Sequence, residues 1–113
     1  MLFLGLMAIV CGCMAPDVDM TATDRNITVV VAKGRSLNEA IVRAASVRGW
    51  TPNEVAPGVV RCQIIQRSNF VEIEVRVTGD GRYTIHCVKS NIPARKYEQW
   101  MTRLQSEIAK QAR

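Results

Sequence analysis

The residue types that chemistry needs fall between positions 62 and 87: Cys62, Glu72, Glu74, His86 and Cys87, with His86 the single histidine of the chain. One imidazole and two carboxylates, Glu72, Glu74 and His86, could hold a divalent metal weakly or pass protons. Two thiols could pair with each other or serve as nucleophiles. Which of these is open to the chain depends on the elements that carry the residues and on the face each one takes.

Those elements are strands. Val60, Cys62 and Ile64 alternate with polar neighbours, as do Val71, Ile73, Val75 and Val77, and then Tyr83, Ile85 and Cys87. Short breaks at Arg67-Ser68-Asn69 and Gly79-Asp80-Gly81 make both connections hairpins, so the strands form an antiparallel meander with one buried face. Expected pairings set Val75 opposite both Cys62 and Ile85, and Ile73 opposite Cys87. Both sulfurs then share the buried face on strands that are not neighbours. Two spacings of about 4.8 Å put their Cα atoms about 9.5 Å apart, beyond the ~7 Å reach of a disulfide. Free core thiols are expected.

The opposite face gathers Arg61, Gln63, Glu72, Glu74, Arg76, Thr84 and His86, with Glu74 directly across from His86. Alternating charge of this kind is also what any meander with one solvated face shows. Catalysis by a nucleophile needs a base and an orienting group within hydrogen-bond reach in a pocket. With one histidine, Asp80 in a turn and both thiols buried, no such set emerges, no glycine-rich phosphate loop is present, and an enzyme is not expected.

Helices flank the meander. Ile27 to Val31 reads as a first strand, followed by a turn at Lys33-Gly34. Ser36-Leu37-Asn38-Glu39 has capping-box spacing, and Leu37, Ala40, Ile41 and Ala44 follow a helical period that ends at Gly49, where a left-handed C-cap fits. Trp50 is expected in the core just after it, and Ala56-Pro57-Gly58 suits a type II turn. Asn91-Ile92-Pro93 introduces a last helix with Tyr97, Trp100, Met101, Leu104 and Ile108 on its apolar stripe. Arg95, Lys96, Arg103, Lys110 and Arg113 share a flank of that helix and could rest on an anionic surface. The fold class expected is α+β: two layers, an antiparallel β-meander with two helices packed on one face.

Ala40 to Ala45 leading to Arg48-Gly49-Trp50, then Pro57-Gly58, Arg67, the Val71 to Val77 strand, Tyr83-Thr84-Ile85, Ser90-Asn91, and Tyr97 with Trp100 and Leu104 together resemble a family of small bacterial lipoproteins and periplasmic proteins. The likeness spans residues 36–108. It implies an envelope protein and carries no catalytic residue, because the family has no assigned activity. This chain departs from it at Cys62, at Cys87 and in a shorter segment before the last helix.

The first thirteen residues agree with that address. The apolar run from Leu2 to Val10 is too short for a bilayer core of about 30 Å, which needs around 20 residues, and suits the apolar region of a secretory signal. Val10-Cys11-Gly12-Cys13 resembles the lipobox of bacterial lipoproteins, which implies lipidation of Cys13. Met1-Leu2-Phe3 lacks the usual basic start, as a start codon assigned too late would explain. Several acyl chains at about 0.8 kcal/mol per buried methylene make such an anchor effectively permanent. Met14 in place of Asp after that cysteine implies, by the same resemblance, outer-membrane delivery in a host that has one. The expected organisation is a signal peptide over 1–13, a polar tether over 14–25 and a globular domain over 26–113.

A net charge of +5 and a pI near 9.4 raise nucleic acid as a partner. In an exported chain the polyanions at hand are lipid head groups and envelope polymers. The sequence therefore points to a lipid-anchored protein of the bacterial cell envelope, facing the periplasm or exterior, that binds or supports an envelope protein or anionic polymer without chemistry and without a cofactor. The rival readings are a basic nucleic-acid-binding domain and a weak metal site at Glu72, Glu74 and His86.

Overall fold

A computed structural model describes residues 24–113; Cys13, the expected signal peptide over 1–13 and most of the expected tether over 14–25 lie outside them. Seven elements follow in the order β1 (Arg25–Thr28), α1 (Leu37–Val47), β2 (Thr51–Ala56), β3 (Val59–Gln66), β4 (Asn69–Gly79), β5 (Arg82–Ser90) and α2 (Ala94–Ala112). The fold is α+β, a five-stranded antiparallel sheet ordered β1-β5-β4-β3-β2 with the helices against it. Strands β2 to β5 form the meander. The first strand pairs beside β5, so α1 carries the chain from one edge of the sheet to the other.

Period two sets the inner face. Val60, Cys62, Val71, Ile73, Val75, Tyr83 and Ile85 are buried beneath Leu37, Ile41, Ala44 and Ala45 of α1 and Tyr97, Met101, Leu104 and Ile108 of α2. Each large aliphatic side chain so covered stabilises the fold by about 1.5–3 kcal/mol. Alanines at 40, 44 and 45 on the buried side of α1 leave room for α2, against which it packs.

The register is tighter than the alternation alone suggests. Cys62 pairs with Ile73, and Val60 takes the place opposite Val75 that was expected for Cys62. Ile73 pairs with Cys87 and Val75 with Ile85, as expected. The offset arises because the β3–β4 hairpin turns on Arg67 and Ser68, with Arg67 at φ 60°, and Gln66 already pairs with Asn69. That shorter turn slides β3 by two residues and leaves its faces unchanged.

Two strands differ from expectation. The first covers Arg25–Thr28 rather than Ile27 to Val31, because β5 starts at Arg82, the partner of Thr28. Beyond it the Val29 amide bonds the turn carbonyl of Gly81, the Ala32 amide caps the α2 end at Ala112, and Val30 is left 84% exposed. The second difference is β2, whose Thr-Pro-Asn-Glu run lacks any strand-like pattern. It is an edge strand, where Pro52 costs no ladder bond on the open side.

The cap of α1 has the expected start and a fully formed stop. Ser36 Oγ accepts from the Glu39 amide at 3.3 Å, with Glu39 itself exposed. At the other end Gly49 has φ 89°, its amide bonds Ser46 O at 3.2 Å, and the Trp50 amide bonds Ala45 O at 2.8 Å. These two bonds define a Schellman stop, which turns Trp50 back into the core. Pro93 sits at the N-cap of α2, one residue earlier than a first-turn proline.

Candidate functional site

The open face of the sheet holds the three residues expected there and divides them. Glu74 and His86 are register partners, yet His86 Nδ1 meets Asp24 Oδ1 at 2.7 Å. The carboxylates belong to arginines. Arg61 reaches Glu74 through Nε at 3.1 Å and Glu72 through Nη1 at 3.2 Å, while Arg76 Nε holds the other oxygen of Glu74 at 2.6 Å. The Arg76 hydrogen bond, with that of Arg61 beside it, draws the Glu74 carboxyl below its usual range against the opposing effect of desolvation. Its partner Arg61 is raised in turn, by Glu74 first and Glu72 second. A cation entering this face would have to displace two guanidiniums, and no cluster of three His, Cys, Asp or Glu residues among the described residues is arranged to hold a metal.

The thiols flank Ile73 from strands on either side, and both are free. Burial pushes Cys62 up to about 12. Cys87 is half-buried and also raised, with Tyr97 offsetting part of the desolvation. A thiol far above neutral pH is a poor nucleophile, because the thiolate is the reactive form.

The expected basic flank of α2 is spread along the helix. Arg95, Arg103 and Lys110 are exposed, and Lys96 is half-buried with Nζ 5.5 Å from the centre of the Trp100 ring. Arg95 and Arg103 share a shallow depression with Glu98, which pairs with Arg25 at 2.7 Å. Lys110 lies about 10 Å further along the axis than Arg103, at 1.5 Å per residue.

A different grouping emerges at the end of the sheet where β3 runs out. Arg48, Trp50, Ile64, Gln66, Trp100 and Arg103 line a cleft of about 180 Å³. Trp50 and Trp100 meet edge to face, with centroids 6.4 Å apart and planes at 86°, in the range aromatic pairs favour. Lys96, Trp100 and Arg103 stand at i, i+4 and i+7 on one side of α2. The Schellman stop supplies the opposite wall by fixing Arg48 and Trp50 in adjoining positions. Of this cleft the sequence reading had Arg103 as a surface cation and both tryptophans as core. The signal that could have found it is the Arg48-Gly49-Trp50 stop facing a Trp100 to Arg103 step on the last helix.

No protein-family model matches the chain, and no curated protein matches it. No helix among the described residues is long and apolar enough to cross a membrane.

Proposed function

We propose that this protein is a non-catalytic binding module of the bacterial cell envelope, anchored through a lipid on Cys13. The reading rests on the lipobox-like Val10-Cys11-Gly12-Cys13 run followed by a small domain whose sheet carboxylates are paired with arginines and whose Cys62 thiol is buried. The observation that carries its non-catalytic part is the open-face network, in which Glu72 and Glu74 are held by Arg61 and Arg76 instead of facing a substrate pocket. The buried thiol of Cys62 supports the same reading. Arg95, Arg103 and Lys110 remain solvent-facing on α2, available to an anionic envelope polymer, an envelope protein or the head groups of the anchoring membrane.

Labelling growing cells with an alkyne fatty acid tests the anchor. The full chain should take up the label and fractionate with membranes, and Cys13→Ser should abolish both. Unlabelled protein recovered from the cytosol with Met1 still in place would refute the reading.

A further inference from the structure

The two wall arginines of the Trp50–Trp100 cleft differ from Arg61 and Arg76 of the open face, which are paired with carboxylates. Neither Arg48 nor Arg103 forms an ion pair among the described residues, and no carboxylate lines the cleft. The end of α1 does not absorb Arg48 either. The carbonyls there are taken by main-chain amides: Ala44 O by Arg48, Ala45 O by Trp50 and Ser46 O by Gly49. Lys96, over the face of Trp100, adds a third cation beside the rim.

Size and floor narrow what fits. At about 180 Å³ the cleft is smaller than the ~300–1,000 Å³ of sites for drug-sized molecules, so it suits a compact group. Ile64 and the two indoles form the apolar part of its floor, beneath the exposed side chains of Arg48, Gln66 and Arg103. A carboxylate has two oxygens and is satisfied by one guanidinium fork. Two guanidiniums together match a tetrahedral group with three acceptor oxygens and more than one negative charge.

We infer that the cleft walled by Arg48 and Arg103 and floored by Trp50, Ile64 and Trp100 binds a phosphate group carried on a small polar body. The site stands on its own geometry and does not depend on lipidation of Cys13. The phosphate can belong to a soluble ester or to a lipid head group, and the two sources separate experimentally.

Trp50 and Trp100 are the only tryptophans in the chain, so intrinsic fluorescence reports the cleft without a label. The full chain is titrated with glycerol 3-phosphate at constant ionic strength, and separately with phosphatidylcholine vesicles that contain phosphatidic acid, whose head group is the same phosphomonoester, against vesicles of phosphatidylcholine alone. A saturable change with glycerol 3-phosphate is expected, with affinity weakened about tenfold or more in Arg103→Gln and in Arg48→Gln, since each removes a charge-assisted contact. Arg43→Gln, an exposed α1 arginine outside the cleft, should leave it unchanged. A response to the soluble ester and to the anionic vesicles assigns a head group, and a response to the ester alone assigns a soluble phosphorylated solute. A response to vesicles alone, no saturable response, or binding that survives both cleft substitutions overturns the site. None of these outcomes bears on fatty-acid labelling, so the anchor and the cleft fail separately.

Discussion

Arg61 on the open sheet face is paired with two carboxylates, whereas Arg103 on α2, beside two indoles, forms no ion pair among the described residues. The same residue type thus serves two purposes within one small domain. On the open face, strand alternation places Glu72, Glu74 and Arg76 within reach of Arg61, and the charges cancel across β3 and β4. At the cleft, three separate elements converge (the α1 stop, the end of β3 and one side of α2), and they bring cations and aromatics together without an acid. The first arrangement stabilises a surface. The second leaves charge available, which is the condition for binding an anion.

The sharpest way to break this comparison is at the cleft floor. Trp50 is only 5% exposed and belongs to the core, so Trp50→Ala should cost about 3–5 kcal/mol. Trp100 is half-buried and packs against the core from outside, and Trp100→Ala should cost visibly less. Urea unfolding of both variants, followed by far-UV circular dichroism, measures the difference. Equal losses would mean that the two indoles are one buried unit with no open side, and the cleft would lose its floor.

On the open face the test is one of pH. Glu74→Gln removes the carboxylate that serves both Arg61 and Arg76, and a loss of about 1 kcal/mol is expected at pH 7, as for solvated ion pairs in a network. The sign of the pH effect follows from the carboxyl being lowered below its ordinary 4.5 in the folded state. The unfolded chain then takes up the proton first as pH falls, so this stabilisation is complete above about pH 5 and is lost on acidification through and below the carboxylate range. Wild type should therefore approach the Glu74→Gln variant in stability toward pH 3. A gap between them that stays constant from pH 7 to pH 3 would show that the network contributes nothing through charge.

Much of the sheet was legible because alternation is a local signal. Val71 to Val77 and Tyr83 to Cys87 could be assigned to faces from their own neighbours, and a two-residue slide of β3 left those faces intact because the side-chain period is two. The edge strand was not legible: Thr51-Pro52-Asn53-Glu54 has no strand propensity of its own and is held by β3. The length of the first strand was misread for a similar reason. Val29 to Val31 are good strand residues whose pairing ends where β5 ends. The placement of Glu74 across from His86 was readable, but the rotation of His86 toward Asp24 was not, since Asp24 lies 62 positions earlier in the chain. The cleft needed three elements at once, and the α2 side of it lies more than 30 residues beyond the other two.

The smallest expected effect is also the one that most directly separates the two regions. Arg61→Gln leaves Glu72 without an ion-pair partner among the described residues and Glu74 with Arg76 alone, so a small loss of stability is expected, shrinking as salt screens the face. Arg103→Gln removes a charge that pairs with nothing among the described residues and is exposed. Its effect on unfolding should stay within about 0.5 kcal/mol, the range of surface changes that touch no partner. Its sign should be neutral or slightly stabilising, because a net charge of +5 already repels itself and Lys96 stands about two turns back on the same side of α2. Parallel urea titrations of the two variants at low and at physiological salt make the comparison. Should Arg103→Gln prove as costly as Arg61→Gln and as sensitive to salt, Arg103 has a structural anion of its own, and the two regions would be the same device.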